Sequence, residues 1–560
     1  MRSFDCAVRV RQIQCLARML KKESGWDRRL ADHVVRARVD GGRTLFHGVL
    51  ECARGRPAPP LRRAVGTWLL PGLGSVLLIA CLAQSPVVVG ETPIPPPSEV
   101  PTVAILVKDD VGAPIVGAMA DTEYGPEVTD GSGLFQVRWE GRSTSASVQA
   151  PGFFPGAVVV DAFNDEPVEL ALRPVVLRGA VVDHQGFGLP IASVSLGDIN
   201  VMTDDQGSFE ISRASPGTIT VERPGWVTTE FAWDGEILVH EIILEPYLIR
   251  ALHVGHTVFV DDAQWSELLS IAEDTVVNAL VVDVKDESGR VLYDTEVDLA
   301  REIGAVDVLF DIDRVVAQMD IRGLYKIARL VTFQDPIAAR AVVDMAVYDT
   351  ATGTSFRKRN QYFLDPTDPQ AREYALRIAE EVCAAGFDEI QFDYVRFPDG
   401  YPATAVFDLG DSEDIRIGTI TSFLDQAAAR LHPLGCLVGA DIFGFITTVI
   451  GDGGIGQEFT ALSATADVVS PMVYPSHYST GWFGFDTPND HPGEVVAGAL
   501  DAGLRRLEGQ SIIRPWLQDF YYTPEQVREQ IDAAEARSLG WMLWNAASVF
   551  NVEALDPESP

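Results

Sequence analysis

The sequence predicts two small all-β sandwiches followed by a (β/α)8 barrel of the TIM-barrel type, and two patterns support this prediction. One pattern is an internal repeat, in which residues 101–174 share turn and strand signals with residues 175–247. The other is an alternation of eight apolar strand patterns with amphipathic helix patterns within residues 248–560. A chain of 560 residues, with 47% hydrophobic and 22% charged content, has the composition of a folded protein with several domains.

The N-terminal part predicts export and attachment to the cell envelope. Residues 1–63 are rich in arginine, and we interpret them as either a cytoplasmic tail or an extension before the true translation start. Residues 64–84 form an apolar segment typical of a secretory signal or a membrane anchor. Its LIAC sequence resembles a bacterial lipobox, which makes Cys81 a candidate for lipidation. Proline-rich residues 85–100 predict an extended linker that lifts the later domains off a membrane.

The charge and the motifs exclude several classes of function. A formal net charge of -36 disfavours nucleic acid and polyanionic partners and favours neutral ligands. No phosphate loop, Gly-x-Ser-x-Gly elbow or dinucleotide fingerprint follows a predicted strand, so we expect no cofactor. His253 and His256 fall on opposite faces of a predicted strand, which is poor geometry for one metal ion. Cys383 and Cys436 begin no Cys-x-x-Cys motif, and we interpret both as core thiols.

The repeated β-region has matching turn sequences. The Asp/Gly turn in Thr129–Phe135 recurs in Thr203–Phe209, and a Pro-Gly-aromatic turn also recurs. Short alternating strands between such turns are typical of small β-sandwiches, and both copies resemble carboxypeptidase-regulatory-like, transthyretin-type domains. With one or two carboxylates per turn, we interpret the turns as structural and not as calcium sites.

The segment GFDEIQFDYVRFP, residues 386–398, is the most unusual strand pattern of the C-terminal region. Glu389, Gln391 and Asp393 alternate with apolar residues, so the strand has one polar face. Strands of α/β proteins are normally buried on both faces and uniformly apolar. We therefore expect the polar face to border a cavity.

The region from about Arg250 to Ala546 resembles the bacterial putative glycoside hydrolase domain family. The matching segments are NALVVDVKD (278–286), IAR (327–329), GFDEIQFDYVRFP (386–398), ADIFG (440–444), SPMVYPSHY (470–478) and GWMLWNA (540–546). The resemblance implies a barrel that hydrolyses glycosidic bonds of a polysaccharide or oligosaccharide with two carboxylates. A catalytically inactive barrel that binds envelope or extracellular polysaccharide is the alternative.

Three carboxylates are candidates for catalysis, because barrel enzymes place their chemistry at the C-terminal strand ends. Asp393 lies near the end of the fourth predicted strand and is the candidate nucleophile or base. Asp441 has a similar place on the fifth strand and is the candidate acid/base partner. Asp283 ends the second strand, and it is either catalytic or a buried carboxylate paired with Lys285 or Arg329.

Aromatic and polar residues near the strand ends are candidates for substrate binding, because sugar rings pack on aromatic faces and sugar hydroxyls bind polar groups. Arg396 is expected either to hold Asp393 ionised or to cap the strand. The candidates are Gln391, Arg396, Lys285, Arg329, Tyr474, His477, Tyr478, Trp516, Gln518, Asp519, Trp544 and Asn545. The short junction after residue 247 also predicts that the barrel folds without the β-domains.

Overall fold

The structure, a computed structural model, describes residues 100–508 and 511–555. These residues all belong to one compact unit, Pro95–Pro560. The predicted tail, the apolar segment with Cys81, and nearly all of the linker lie outside the described residues. Among the helices that are described, none is long and apolar enough to cross a membrane.

Two β-domains with the same strand order precede the barrel. The first contains strands β1 (Thr102–Lys108), β2 (Met119–Thr122), β3 (Gly125–Val128), β4 (Leu134–Arg138), β5 (Thr144–Gln149), β6 (Gly156–Val160) and β7 (Val168–Ala171). The second contains β8 (Val176–Val182), β9 (Ser193–Leu196), β10 (Ile199–Met202), β11 (Ser208–Ser212), β12 (Gly217–Glu222), β13 (Thr229–Trp233) and β14 (Val239–Ile243). Each domain has a three-stranded and a four-stranded sheet around its own buried apolar cluster, as the internal repeat predicts.

The Asp/Gly turns of the two β-domains have the same structure. The Oδ1 atom of Asp130 accepts hydrogen bonds from the backbone N–H groups of Ser132 (2.8 Å) and Leu134 (3.0 Å). Asp204 makes the equivalent bonds to the backbone two and four residues later, at 2.9 and 2.8 Å. These carboxylates therefore close the turns, in agreement with the structural interpretation.

The barrel consists of eight parallel strands, one of which is divided into two short segments. Pairing between the fifth and sixth barrel strands closes it. Its strands are β15 (Arg250–Val254), β16 (Ala279–Lys285), β17 (Tyr325–Val331), β22 (Glu389–Asp393), β24 (Leu437–Phe443), β25 (Val468–Val473), β26 (Ile512–Ile513) with β27 (Trp516–Gln518), and β28 (Trp541–Trp544). The short strands β18 (Tyr348–Asp349), β19 (Thr354–Ser355), β20 (Arg357–Lys358), β21 (Gln361–Tyr362) and β23 (Ala405–Val406) lie in connections. The prediction of an eight-stranded barrel is confirmed.

The helices connect the barrel strands. They are α1 (Asp262–Asp274), α2 (Asp298–Glu302), α3 (Ile312–Asp320), α4 (Ala338–Ala341), α5 (Pro369–Ala384), α6 (Glu413–Leu431), α7 (Phe459–Ser463), α8 (Pro492–Leu504) and α9 (Pro524–Glu535). Local sequence fixes several helix starts. The Asp368 side chain accepts from the backbone N–H of Ala371 before α5, and Thr523 forms a capping box with Gln526 at α9.

The interpretation of Cys383 and Cys436 as core thiols is wrong, because the two residues form a disulfide. Cys383 lies near the end of α5, and Cys436 lies directly before β24. Both are buried, which agrees with the apolar surroundings that the sequence indicates. The disulfide ties the helix that precedes β22 to the strand that follows it in the barrel.

The second β-domain packs against the barrel and shares a small core with it. Ile191 forms a buried cluster with Leu437 and Val468, the first residues of β24 and β25. Arg223 of the β-domain forms a buried ion pair with Asp467, with 2.9 Å between Nη2 and Oδ1. Both contacts would be lost without the β-domain, and independent folding of the barrel stays a prediction.

Candidate active site

A cavity of about 540 Å³ opens at the C-terminal ends of the barrel strands. Its walls combine carboxylates, two arginines and many aromatic rings. The lining residues are Glu287, Arg329, Asp393, Tyr394, Arg396, Asp441, Phe443, Gly444, Phe445, Met472, Tyr474, His477, Tyr478, Ser479, Trp482, Trp516 and Trp544. The chemistry of this cavity follows from the residues at its floor.

The polar face of β22 points into the barrel, as its sequence pattern predicts. Glu389, at the start of the strand, accepts from Arg514 at 2.9 Å and from the Tyr325 hydroxyl at 3.2 Å. Gln391 donates to the Ser470 hydroxyl at 3.0 Å, deeper in the barrel than the cavity. Only Asp393, the last residue of β22, reaches the cavity.

Arg329 is the centre of a cluster of carboxylates on the cavity floor. Its Nη1 donates to Asp283 Oδ1 at 2.9 Å, and its Nη2 also pairs with Glu287. Its Nε and Nη2 both donate to Asp393 Oδ2, at 3.0 and 2.5 Å. The distance from Arg329 Nε to Asp441 Oδ2 is 4.0 Å. Four carboxylates from three strands and one loop therefore surround one buried guanidinium.

Asp393 is held by three N–H donors. Two come from Arg329, and the third is the backbone N–H of Tyr394, 2.6 Å from Oδ1. Tyr394 has a φ of 50°, in the left-handed region, and this turns the chain directly after the strand. A carboxylate can accept all three hydrogen bonds, so this arrangement suits the ionised form of the side chain.

Asp441 lies in β24 in a less polar setting. Its Oδ1 accepts from Trp516 Nε1 at 2.8 Å, whereas its Oδ2 has no hydrogen-bond partner among residues 100–508 and 511–555. Burial and the negative charge of Asp393 raise the pKa of Asp441 well above its ordinary value, and Arg329 and Trp516 only partly oppose this. Asp441 is therefore suited to carry a proton at neutral pH.

His253 is a site residue that the sequence reasoning considered only as a metal ligand. Its Nδ1 lies 3.1 Å from the backbone oxygen of Asn545, and its Nε2 lies 3.1 Å from Asp283 Oδ2. Both partners are hydrogen-bond acceptors, so each ring nitrogen faces an oxygen atom. Burial raises the pKa of Asp283, but His253 and Arg329 outweigh it and lower that pKa to about 2.

Aromatic rings form much of the cavity wall, as the sequence predicts. The Trp516 and Trp544 rings are nearly perpendicular, with 5.4 Å between their centroids. Trp544 also stacks on His253 at 3.9 Å and lies over the Arg329 guanidinium at 4.7 Å. Seven of the predicted substrate-binding residues line the cavity, namely Arg329, Arg396, Tyr474, His477, Tyr478, Trp516 and Trp544.

Lys285 and Gln391 are predicted binding residues that do not reach the cavity. Lys285 pairs with Asp335, with 2.9 Å between Nζ and Oδ2, and lies 5.9 Å from the Tyr374 ring on the helix side of the barrel wall. A register shift between Asp283 and Lys285 accompanies this placement. Gln391 lies below the cavity floor, so neither side chain is placed to touch a ligand there.

Gln518, Asp519 and Asn545 also lie outside the cavity. Gln518 is the last residue of β27, whereas Asp519 and Asn545 directly follow β27 and β28. Gln518 accepts from the Ser476 hydroxyl at 2.8 Å and so supports the loop that follows β25. Asn545 donates to Asp519 at 3.1 Å, and Asn551 also binds this carboxylate. These three residues support loops and neighbouring strand ends behind the cavity wall.

The sequence reasoning missed Glu287, Tyr394 and Trp482, which all line the cavity. Glu287 directly follows the predicted VVDVKD strand segment, and this position at a strand end was the available signal. Of the two alternatives for Arg396, the contact with Asp393 is not formed, because Arg329 takes that place. Arg396 instead donates to the backbone oxygen of Phe397 at 3.1 Å.

Comparison with known proteins gives the class of the barrel. Residues 251–550 match the family described as "Putative glycosyl hydrolase domain", and this match covers more than half of the chain. The chain therefore belongs to this family, as the sequence motifs indicate. A search of the curated proteins found no match.

Several solved structures are similar to parts of the chain. A hypothetical protein from Ruminiclostridium thermocellum is 34% identical, with 34% of this chain and 96% of that chain covered and a TM-score of 0.31. The PgaB (BpsB) glycoside hydrolase domain from Bordetella bronchiseptica is 15% identical, with 56% and 100% covered and a TM-score of 0.43. The glycoside hydrolase domain of PelA from Pseudomonas aeruginosa is 14% identical, with 55% and 97% covered and a TM-score of 0.33.

Proposed function

We propose that the barrel hydrolyses glycosidic bonds of a polysaccharide or oligosaccharide, with Asp393 as the nucleophile and Asp441 as the acid/base. The observation that carries this proposal is the contrast between two carboxyl groups on adjacent strands at one cavity floor. Asp393 accepts two hydrogen bonds from a guanidinium, whereas the pKa of Asp441 is raised by burial and by Asp393. Such a division into an ionised and a protonated carboxyl group is what glycoside hydrolysis requires.

The spacing of the two groups favours retention of the anomeric configuration. Arg329 Nε lies 3.0 Å from Asp393 Oδ2 and 4.0 Å from Asp441 Oδ2. The two oxygens are therefore no farther apart than the sum of these distances. Retaining enzymes separate their carboxyl groups by roughly 5–5.5 Å and inverting enzymes by roughly 6.5–9.5 Å, so this upper limit is consistent with the retaining arrangement.

The proposed reaction has two steps. In the first, the Asp441 proton passes to the glycosidic oxygen while an Asp393 oxygen attacks the anomeric carbon, which releases the leaving group and forms a glycosyl ester. In the second, the Asp441 carboxylate takes a proton from water as that water attacks the same carbon. The sugar leaves with its new hydroxyl group, and Asp393 and Asp441 return to their starting protonation states.

Arg329, Asp283 and His253 act as positioning residues in this proposal. Arg329 holds the Asp393 carboxylate through two hydrogen bonds, and Asp283 accepts from both Arg329 and His253. Because Asp283 does not line the cavity whereas Asp393 does, Asp283 is the weaker candidate for a covalent role. The surrounding tryptophan rings offer faces on which a sugar ring packs.

The protein is further proposed to act outside the cytoplasm, tethered to the cell envelope through lipid on Cys81 or through the apolar segment around it. The disulfide between Cys383 and Cys436 supports this proposal, since structural disulfides persist mainly in oxidising compartments. The resemblance of the β-domains to carboxypeptidase-regulatory-like domains also remains a prediction.

A screen of bacterial polysaccharides tests the proposed activity through the release of reducing ends. We expect the parent protein to cleave at least one polysaccharide and Asp393→Asn to release none, with an unchanged circular dichroism spectrum. Asp519→Asn is the matched control, because this buried carboxylate directly follows a barrel strand but lies outside the cavity. Binding of a polysaccharide without cleavage by the parent would favour the inactive, sugar-binding barrel.

A further inference from the structure

We infer that the cavity contains a subsite for a sugar residue that carries a carboxylate, such as a uronic acid, and that Arg396 binds this group. The inference rests on the proposed function, because it names the substrate class of the same cavity. It depends on the charge balance around Arg396, on the orientation of its guanidinium, and on its closeness to Asp393 along the chain.

The two arginines that line the cavity differ in the number of carboxylates that surround them. Arg329 contacts the carboxylates of Asp283, Glu287 and Asp393, which more than neutralise it. Arg396 has one carboxylate neighbour, Asp399, and the distance from Nη1 to Oδ1 is 3.4 Å.

Asp399 is itself shared with a second cation. Lys358 pairs with the other carboxylate oxygen of Asp399 and also donates to its backbone oxygen at 2.8 Å. Arg396, Lys358 and Asp399 together carry one net positive charge, and Arg396 is the member of this group that lines the cavity. A ligand anion would balance this charge.

The Arg396 guanidinium is held in a fixed orientation. Its central carbon lies 4.9 Å from the Tyr394 ring centroid and 4.7 Å from the Phe443 ring centroid. Nη1 donates to the backbone of Phe397, whereas Nε and Nη2 have no hydrogen-bond partner within the part of the chain that the structure describes. Arg396 is only 7% exposed yet lines the cavity. Two free parallel N–H donors on a held guanidinium match the two oxygens of a carboxylate.

Arg396 and Asp393 line the same cavity. Arg396 follows Asp393 by three residues, and its guanidinium lies against the ring of Tyr394, the residue directly after Asp393. We therefore expect an acidic sugar bound by Arg396 to occupy the cavity in which Asp393 acts.

The overall charge of -36 does not oppose such a ligand, provided that acidic residues are sparse in the glycan. Exposed charges farther away than about 8 Å are largely screened at physiological ionic strength, whereas a direct contact with a buried guanidinium is screened much less. A mostly neutral polysaccharide with occasional uronic acids would be little repelled by the acidic protein and would still supply a carboxylate for Arg396.

A glycan array tests the inference without requiring cleavage. The probes are uronate-containing bacterial oligosaccharides and the same oligosaccharides after chemical reduction of each carboxylate to a primary alcohol. The protein is the Asp393→Asn variant, which retains the cavity. We expect at least one acidic glycan to bind about tenfold or more tightly than its reduced form, as for a charge-assisted pair worth about 1.4 kcal/mol or more.

Substitutions at Arg396 test whether this residue causes the preference for the acidic glycan over its reduced form. Arg396→Met keeps an apolar stem between the Tyr394 and Phe443 rings, and we expect it to abolish the preference for the acid while binding of the reduced glycan is unchanged. Arg396→Lys should restore part of the preference. Equal binding of every acidic and reduced pair, or a preference that persists in Arg396→Met, would overturn the subsite. Binding without any hydrolysis by the parent would overturn the proposed activity and leave the subsite standing.

Discussion

Replacing Arg223 by methionine tests whether the second β-domain and the barrel form one cooperative unit. The Arg223 and Asp467 side chains are 2% and 4% exposed, so the substitution leaves a buried carboxylate without its guanidinium partner. Loss of one partner of a buried pair costs about 3–5 kcal/mol. Asp467 retains His432 at 2.8 Å and the backbone N–H of Val438 at 2.9 Å, so we expect a loss near the lower end, about 3 kcal/mol.

Differential scanning calorimetry measures this loss. The second β-domain and the barrel together contain about 380 residues, from residue 175 to residue 555. An unfolding entropy of about 2.1 cal/mol/K per residue therefore converts a loss of about 3 kcal/mol into a Tm decrease of roughly 4 °C. The matched control is Arg178→Met in the same β-domain, because Arg178 and Glu210 form an exposed pair that contributes less than about 1 kcal/mol. Equal Tm values for Arg223→Met and Arg178→Met, or separate transitions for the β-domain and the barrel in the parent, would refute the reasoning.

Three further predictions concern charge and location. The raised pKa of Asp441 means that the folded state keeps a proton that the unfolded chain releases, so stability falls as pH rises between the ordinary aspartate pKa of about 3.9 and the raised value. When Tm is measured over a series of pH values, Asp441→Asn should show a smaller fall of Tm with rising pH than the parent. The same pH dependence of Tm in both proteins would contradict this prediction. His253→Phe should raise the Asp283 pKa above about 2 and shift acid unfolding to higher pH, as followed by circular dichroism; an unchanged acid midpoint would argue against the effect of His253 on Asp283. Cys81→Ala should release the protein from membranes or stall its processing in cell fractionation, whereas full membrane retention with an intact N-terminus would indicate an ordinary anchor.

The barrel and the position of Asp393 could be predicted because local patterns determine them. Each buried parallel strand appears in the sequence as a run of apolar residues. The polar face of GFDEIQFDYVRFP indicates a strand that borders a cavity instead of an apolar core. Its last polar residue then falls at the end of the barrel where enzymes place their chemistry. The structure has Asp393 at that end and Glu389 at the other.

The contacts that depend on distant segments could not be predicted. Lys285 lies on the helix side because of a register shift in the strand, and no residue of the strand indicates this shift in the sequence. The orientation of the His253 ring depends on a backbone oxygen of Asn545, which is far away in the sequence. The disulfide joins cysteines separated by 53 residues, and their spacing carries no information about pairing.

The most direct test of the account is a search for a glycosyl group on Asp393. Asp441→Ala lacks the base for the second step, so it should accumulate the glycosyl ester when given an activated aryl glycoside of the sugar that the parent cleaves. After acid quenching, reduction and trypsin digestion, mass spectrometry of the peptide that spans residues 378–396 should show one added sugar on Asp393. An unmodified peptide during turnover, together with a first product of inverted configuration, would contradict the assignment of Asp393 as the nucleophile.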